Sequence, residues 1–102
     1  MPTIEQLTAL LAKDPDDTFL LYALAQEHAK DHNHDDAVRA YDRVVAIDPN
    51  YFYAYYHKAR SQQADGDDPA AADTARQGLN LAKAAGDAKA SSELAALLDE
   101  LT

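Results

Sequence analysis

The segment Thr18–Pro49 reads TFLLYALAQEHAKDHNHDDAVRAYDRVVAIDP, and its reading decides the architecture. Two stretches of helical periodicity are separated by a polar turn and closed by Asp48-Pro49. Shifted back by 34 residues, Asp48-Pro49 falls on Asp14-Pro15; shifted forward by the same step, the turn residues His32-Asn33 fall on Gly66-Asp67. The chain therefore reads as a repeat array, in which each helix pair buries its apolar face against its neighbours. Such arrays are binding scaffolds whose ligand is chosen by a few variable side chains.

Within the segment, Leu21, Leu24, Ala25 and His28 recur at i, i+3, i+4 and i+7, one packing face of a helix capped by Asp16 or Asp17. Phe19, Tyr22 and Gln26 form a separate stripe that this seam does not require. In the turn DHNHDD the left-handed position is assigned to Asn33, and Asp35 caps a third helix carrying Ala37, Tyr41, Val44 and Val45. Upstream, Thr3 and Gln6 match a capping box before Ile4, Leu7, Leu10 and Leu11. That first helix ends near Lys13, because the residue before Pro15 is pushed out of the α region.

Downstream, Asn50 starts a fourth helix over YFYAYYHKARSQQA. Its aromatics Tyr51, Phe52, Tyr53, Tyr55 and Tyr56 point in more directions than one neighbouring helix can cover. Gly66 ends it, Asp68 caps a fifth helix and Pro69 takes the first helical position, where its missing N–H is harmless. Gly78 lies inside the fifth helix at a cost of about 1 kcal/mol relative to alanine, which marks close approach of another helix. Gly86 ends the fifth helix and Asp87 caps a sixth, with Leu94, Leu97, Leu98 and Leu101 on its dry face and Lys89, Ser92, Glu93, Asp99 and Glu100 on its wet one.

A length of 102 residues fits one domain with a core that needs no staples, and the absence of cysteine removes disulfides, thiolate metal sites and cysteine nucleophiles. Fourteen Asp and four Glu against five Lys and four Arg give a net charge of −9. With no basic block, nucleic acid and anionic membrane are disfavoured and a basic partner is favoured. The N-terminus lacks a basic leader region, and no apolar run nears the ~20 residues that span a bilayer, so a cytoplasmic location is expected.

Residues 18–49 resemble a tetratricopeptide repeat, whose pattern is W-x2-L-G-x2-Y, then A-x3-F, then P. Leu21 stands at the Trp position, Leu24 at Leu, Ala25 at Gly, His28 at Tyr, Ala37 at Ala, Tyr41 at Phe and Pro49 at Pro. The first helix looks like the second half of an earlier repeat, with Leu7 at Phe and Pro15 at Pro. The fourth and fifth look like a divergent repeat, with Tyr55 at Trp, Ala59 at Gly and Ala71 at Ala, but Lys58 at Leu, Ala75 at Phe and Lys83 at Pro. The resemblance to a small bacterial-type member of this family implies an all-α, right-handed superhelical array of antiparallel helix pairs with about six helices. Residues 3–13 form a half repeat, 16–49 a repeat, 50–84 the divergent repeat and 87–101 a capping helix.

In proteins of this kind the first helix of each repeat lines a concave groove. Carried onto this chain, the groove positions are Phe19, Tyr22, Gln26 and Ala29, then Tyr53, Tyr56, Arg60 and Gln63. Aromatic rings with arginine and amide groups make a plausible anchor set for a peptide segment or helix of a partner protein. The Lys, Asn and Arg that clamp a chaperone's C-terminal carboxylate in some members are largely replaced here by Tyr22, Gln26, Tyr56 and Arg60. The first helix, lacking its repeat partner, offers an alternative in self-assembly to a homo-oligomer.

His28, His32 and His34 with Asp31, Asp35 and Asp36 raise a metal alternative, since imidazole and carboxylate suit zinc or nickel. Packing and turn positions account for these residues, so no metal site and no cofactor is assigned, and His57 is placed on a solvated surface. No nucleophile motif, phosphate loop or paired carboxylate occurs, which gives a non-enzymatic interaction scaffold as the expected function.

Overall fold

The computed structural model describes residues 2–102. Its elements are the α-helices α1 (Ile4–Lys13), α2 (Thr18–Lys30), α3 (His34–Ile47), α4 (Phe52–Ala64), α5 (Asp68–Ala85) and α6 (Ala88–Leu101). Each helix packs on the next in sequence, and α2, α4 and α6 meet along a second seam. The result is an all-α solenoid. No helix among the described residues is long and apolar enough to cross a membrane.

The 34-residue period is written into the backbone hydrogen bonds. Asp14 N–H donates to Leu10 C=O at 3.2 Å, and 34 residues on Asp48 N–H donates to Val44 C=O at 2.8 Å. At the end of α2, His32 N–H donates to Ala29 C=O and Asn33 N–H to His28 C=O; at the end of α4, Gly66 donates to Gln63 and Asp67 to Gln62. Both are the double hydrogen bond that closes a helix through a left-handed residue.

That residue is His32, at φ 61°, and not Asn33 as the composition of the turn implied. Its counterpart is Gly66, at φ 83°. The pair of closing bonds fixes the left-handed position one residue past the cap, whatever side chain stands there.

Some helix starts also shift by one or two residues. Thr3 and Gln6 form the capping box, with both reciprocal bonds present, and Asp17 caps α2 by accepting from Leu20 N–H. Asn33, not Asp35, is the N-cap of α3, which leaves Asp35 in the first turn. Tyr51, rather than Asn50, flanks α4. Asp67, not Asp68, caps α5, so Pro69 follows Asp68 as the second helical residue. Thr3, Asp17, Asp67 and Asp87 cap through their side chains, whereas Asn33 and Tyr51 hold their positions without a side-chain capping bond.

Ala25 and Ala37 are fully buried between α2 and α3, where larger side chains would hold the helices apart, and Leu21, Tyr41 and Val44 fill the flanking space. In the next repeat Ala59, Ala71 and Ala75 pack the same way, sealed by Leu97 of α6. The Lys58 side chain is largely buried, and its ammonium reaches Asp42 of α3 at 2.6 Å. A Cβ added at Gly78 would sit 2.6 Å from the Cβ of Tyr55, so the close approach read from the sequence is real. Of the sixth helix's stripe, Leu94 and Leu97 are buried, while Leu98 and Leu101 stay partly exposed. Leu10 is 49% exposed, whereas Val44, one period later, is 0% exposed.

Candidate functional site

The first helices of the two repeats, α2 and α4, contact one another directly. Thr18 and Phe52 open α2 and α4 one period apart, so residues 22, 26 and 29 stand level with 56, 60 and 63. Tyr22, Gln26 and Ala29 therefore face the same side as Tyr56, Arg60 and Gln63.

Tyr22 is the hub of the α2–α4 seam. Its ring lies 5.0 Å from Tyr51, 5.9 Å from Tyr41 and 5.9 Å from His57. Offset and edge-on contacts at such distances contribute about 0.5–1.5 kcal/mol beyond burial of area. Burial, with Tyr51 and Tyr53 close by, pushes the Tyr22 hydroxyl up to about 12, and burial raises that of Tyr41 further. Both phenols are thus neutral hydrogen-bonding groups across the physiological range.

Between α2 and α4 lies an open concavity of ≈ 460 Å³ lined by Gln26, Ala29, Lys30, Tyr41 and His57. His57 is not the solvated surface residue the sequence implied. It stacks on Tyr41 at 6.3 Å and meets Tyr56 edge-on at 5.3 Å. Burial, and then the nearby Arg60 charge, holds its imidazole below the ordinary histidine pKa. The sequence missed it because its ring neighbours Tyr22 and Tyr41 come from two other helices.

Further along α4, Arg60 lies over the Tyr56 ring at 5.4 Å and donates to the Tyr56 hydroxyl at 3.2 Å and to Gln63 Oε1 at 2.9 Å. The same guanidinium pairs with Glu100 of α6, and Gln63 Nε2 donates to that carboxylate at 3.2 Å. Glu100 is held below its ordinary pKa by the hydrogen bond from Gln63 and then by Arg60. Partial desolvation and then the Glu93 carboxylate raise the Tyr53 hydroxyl. The α6 helix thus engages the polar residues of α4 through Glu100 and Glu93.

Phe19 stands apart from this cluster and is 73% exposed at the start of α2. The histidines of the α2–α3 turn are not assembled as ligands. His32 and His34 meet edge-on at 5.9 Å, His28 and His34 each bury an Nδ1 without a partner, and no group of three or more His, Cys, Asp or Glu among the described residues is arranged to hold a metal ion.

No protein-family model and no curated protein matches the chain. Solved structures do. A tetratricopeptide repeat domain protein from Salinibacter ruber is 36% identical, with TM-score 0.78 over 85% of this chain and 88% of that one. A protein from Bordetella parapertussis is 28% identical, with TM-score 0.84 over 99% of this chain and 88% of that one. The TPR2B domain of yeast Sti1, solved as a complex with pHsp70, is 20% identical and shares the fold at TM-score 0.86, over 96% of this chain and 78% of that one.

Proposed function

The chain belongs to the tetratricopeptide repeat family, and on that premise we propose that it is a non-enzymatic interaction scaffold. It binds a peptide segment or helix of a partner protein along the groove of Phe19, Tyr22, Gln26, Tyr53, Tyr56, Arg60 and Gln63, to which His57 is added. The single observation that carries the reading is the ring cluster of Tyr22, Tyr41, Tyr51, Tyr56 and His57 at the edge of an open concavity. Such rings offer large, stiff contact area with polar tips, the chemistry of an interface anchor. The division into a half repeat, two repeats and a capping helix belongs to this reading, as does the net charge of −9, which draws in basic partners from a distance.

A peptide selected from a displayed random library against the immobilised protein tests it. Gln26→Ala with Tyr53→Ala, both at partly exposed positions, is expected to weaken that peptide by about tenfold, or ~1.4 kcal/mol, without loss of helical content. Unchanged affinity in the folded double variant sinks the groove assignment.

Self-association through α1 is the second reading, favoured by Leu10, which is 49% exposed beside Pro2, Gln6, Ala9 and Lys13. Sedimentation velocity over a wide concentration range decides it; a concentration-independent monomer removes it.

A further inference from the structure

His57 sits where the two repeats meet. Its ring stacks on Tyr41 of α3 and touches Tyr22 of α2 and Tyr56 of its own helix edge-on. These contacts leave part of the imidazole on the concavity beside Gln26, Ala29 and Lys30. Neither of its nitrogens is among the buried, unpartnered polar atoms, unlike Nδ1 of His28 and His34. The imidazole nitrogens are thus not sealed in the core, and His57 is among the residues that line the concavity.

The groups around the imidazole carry no compensating negative charge. From α2 come Tyr22, Gln26 and Lys30, the last paired with Glu27 at 3.0 Å. From α3 comes Tyr41, and from α4 itself Tyr56 and Arg60. Asp42 of α3 is taken by Lys58, and Glu100 of α6 is taken by Arg60 and Gln63. No carboxylate lines the concavity. A proton added to His57 thus places a second cation beside Arg60 in a half-buried setting, without an anion to receive it.

We propose that His57 is a proton-controlled acceptor of this groove: neutral, its unprotonated ring nitrogen accepts a hydrogen bond from an N–H of a bound peptide segment; protonated, it loses that acceptor and releases the segment. The proposal rests on the groove reading for its ligand, but the proton equilibrium belongs to the free protein. Burial and Arg60 keep the neutral form dominant at neutral pH. The change therefore falls in mildly acidic solution, below the unperturbed value of about 6.5.

Two measurements test it. In the free protein, histidine side-chain NMR signals are followed with pH, and His57 is identified by its loss in His57→Gln. Its midpoint is expected below about 6.5, with the backbone amides of Gln26, Ala29 and Lys30 shifting at the same midpoint in wild type and not in His57→Gln. A midpoint at or above that value, or groove amides that ignore it, overturns the proposal.

The library-selected peptide is then measured by fluorescence anisotropy at neutral pH and about two units lower. Wild type is expected to lose about tenfold in affinity and His57→Gln to lose none of it. Groove binding with the same pH dependence in both proteins overturns the role of His57 and leaves the groove standing. A selected peptide that ignores the groove substitutions overturns the groove reading, and the titration of the free protein still decides whether His57 couples to it.

Discussion

Gly78→Ala is the sharpest test of how α4, α5 and α6 are held. Helix propensity alone favours alanine by about 1 kcal/mol. The new Cβ would meet Tyr55 Cβ at 2.6 Å, Tyr55 Cγ at 3.0 Å and Leu94 Cδ1 at 3.4 Å. Leu94 can turn aside, but the Cβ of Tyr55 is fixed to the α4 backbone. Carbon contacts settle at about 3.5–4.0 Å, so the two helices must separate locally by about 1 Å.

That movement strains the Tyr55 hydroxyl bond to Pro49 C=O, now 3.0 Å, and loosens the packing of Leu79 and Leu94. Overpacking of this kind costs about 1–3 kcal/mol, and an immovable neighbour places it at the upper end. The net expectation is destabilisation by about 2 kcal/mol, or a Tm lower by roughly 8–16 °C for a domain of this size. Urea unfolding followed by far-UV circular dichroism measures it. A variant as stable as wild type, or more stable, refutes the close crossing. Gly66→Ala serves as the contrast: nothing lies within 4 Å of its Cβ, and its cost of about 1 kcal/mol arises from the positive φ alone.

Other perturbations read separate parts of the account. His32→Gly is expected to stabilise the fold by about 1 kcal/mol in urea unfolding, since it relieves a left-handed residue where the next repeat has Gly66. Because the folded Tyr22 pKa is raised to about 12 from 10.0, the unfolded chain ionises first at high pH. Its contribution to stability is therefore intact below pH 10.0 and lost as pH rises toward about 12, an alkaline decline that Tyr22→Phe should make shallower in thermal melts. Arg60→Ala should change stability by less than about 1 kcal/mol, because its pairing with Glu100 is half-exposed on both sides; a larger loss in thermal melts would make Arg60 a structural tie.

The features most legible in the sequence were those set by neighbours a few residues apart. Thr3 and Gln6 carry their capping box within one turn, and Asp14-Pro15 and Asp48-Pro49 announce two helix ends one period apart. Gly78 betrayed a helix crossing because its propensity cost needs a compensating contact. The left-handed residue was assigned to Asn33 by side-chain preference, although the same shift that reveals the repeat sets His32 on Gly66. Periodicity held the better information there.

The groove was legible as a stripe and not as a site. Tyr22, Gln26, Tyr56, Arg60 and Gln63 could be placed on the same side from the repeat. What could not be read is that Tyr41, 16 residues before His57, supplies the surface on which that imidazole stacks, or that Glu100 returns 40 residues later to engage Arg60. Such contacts depend on the angle between successive repeats, which no local pattern encodes.

The central claim is that partners dock on the inner face formed by α2 and α4. Backbone amide chemical shifts of the protein, recorded as the library-selected peptide is added, locate that face directly. The account predicts perturbations concentrated in residues 19–30 and 53–63, with the outward surfaces of α1 and α5 silent. Shifts confined to α1 around Leu10, or to the α3–α5 side, would contradict it.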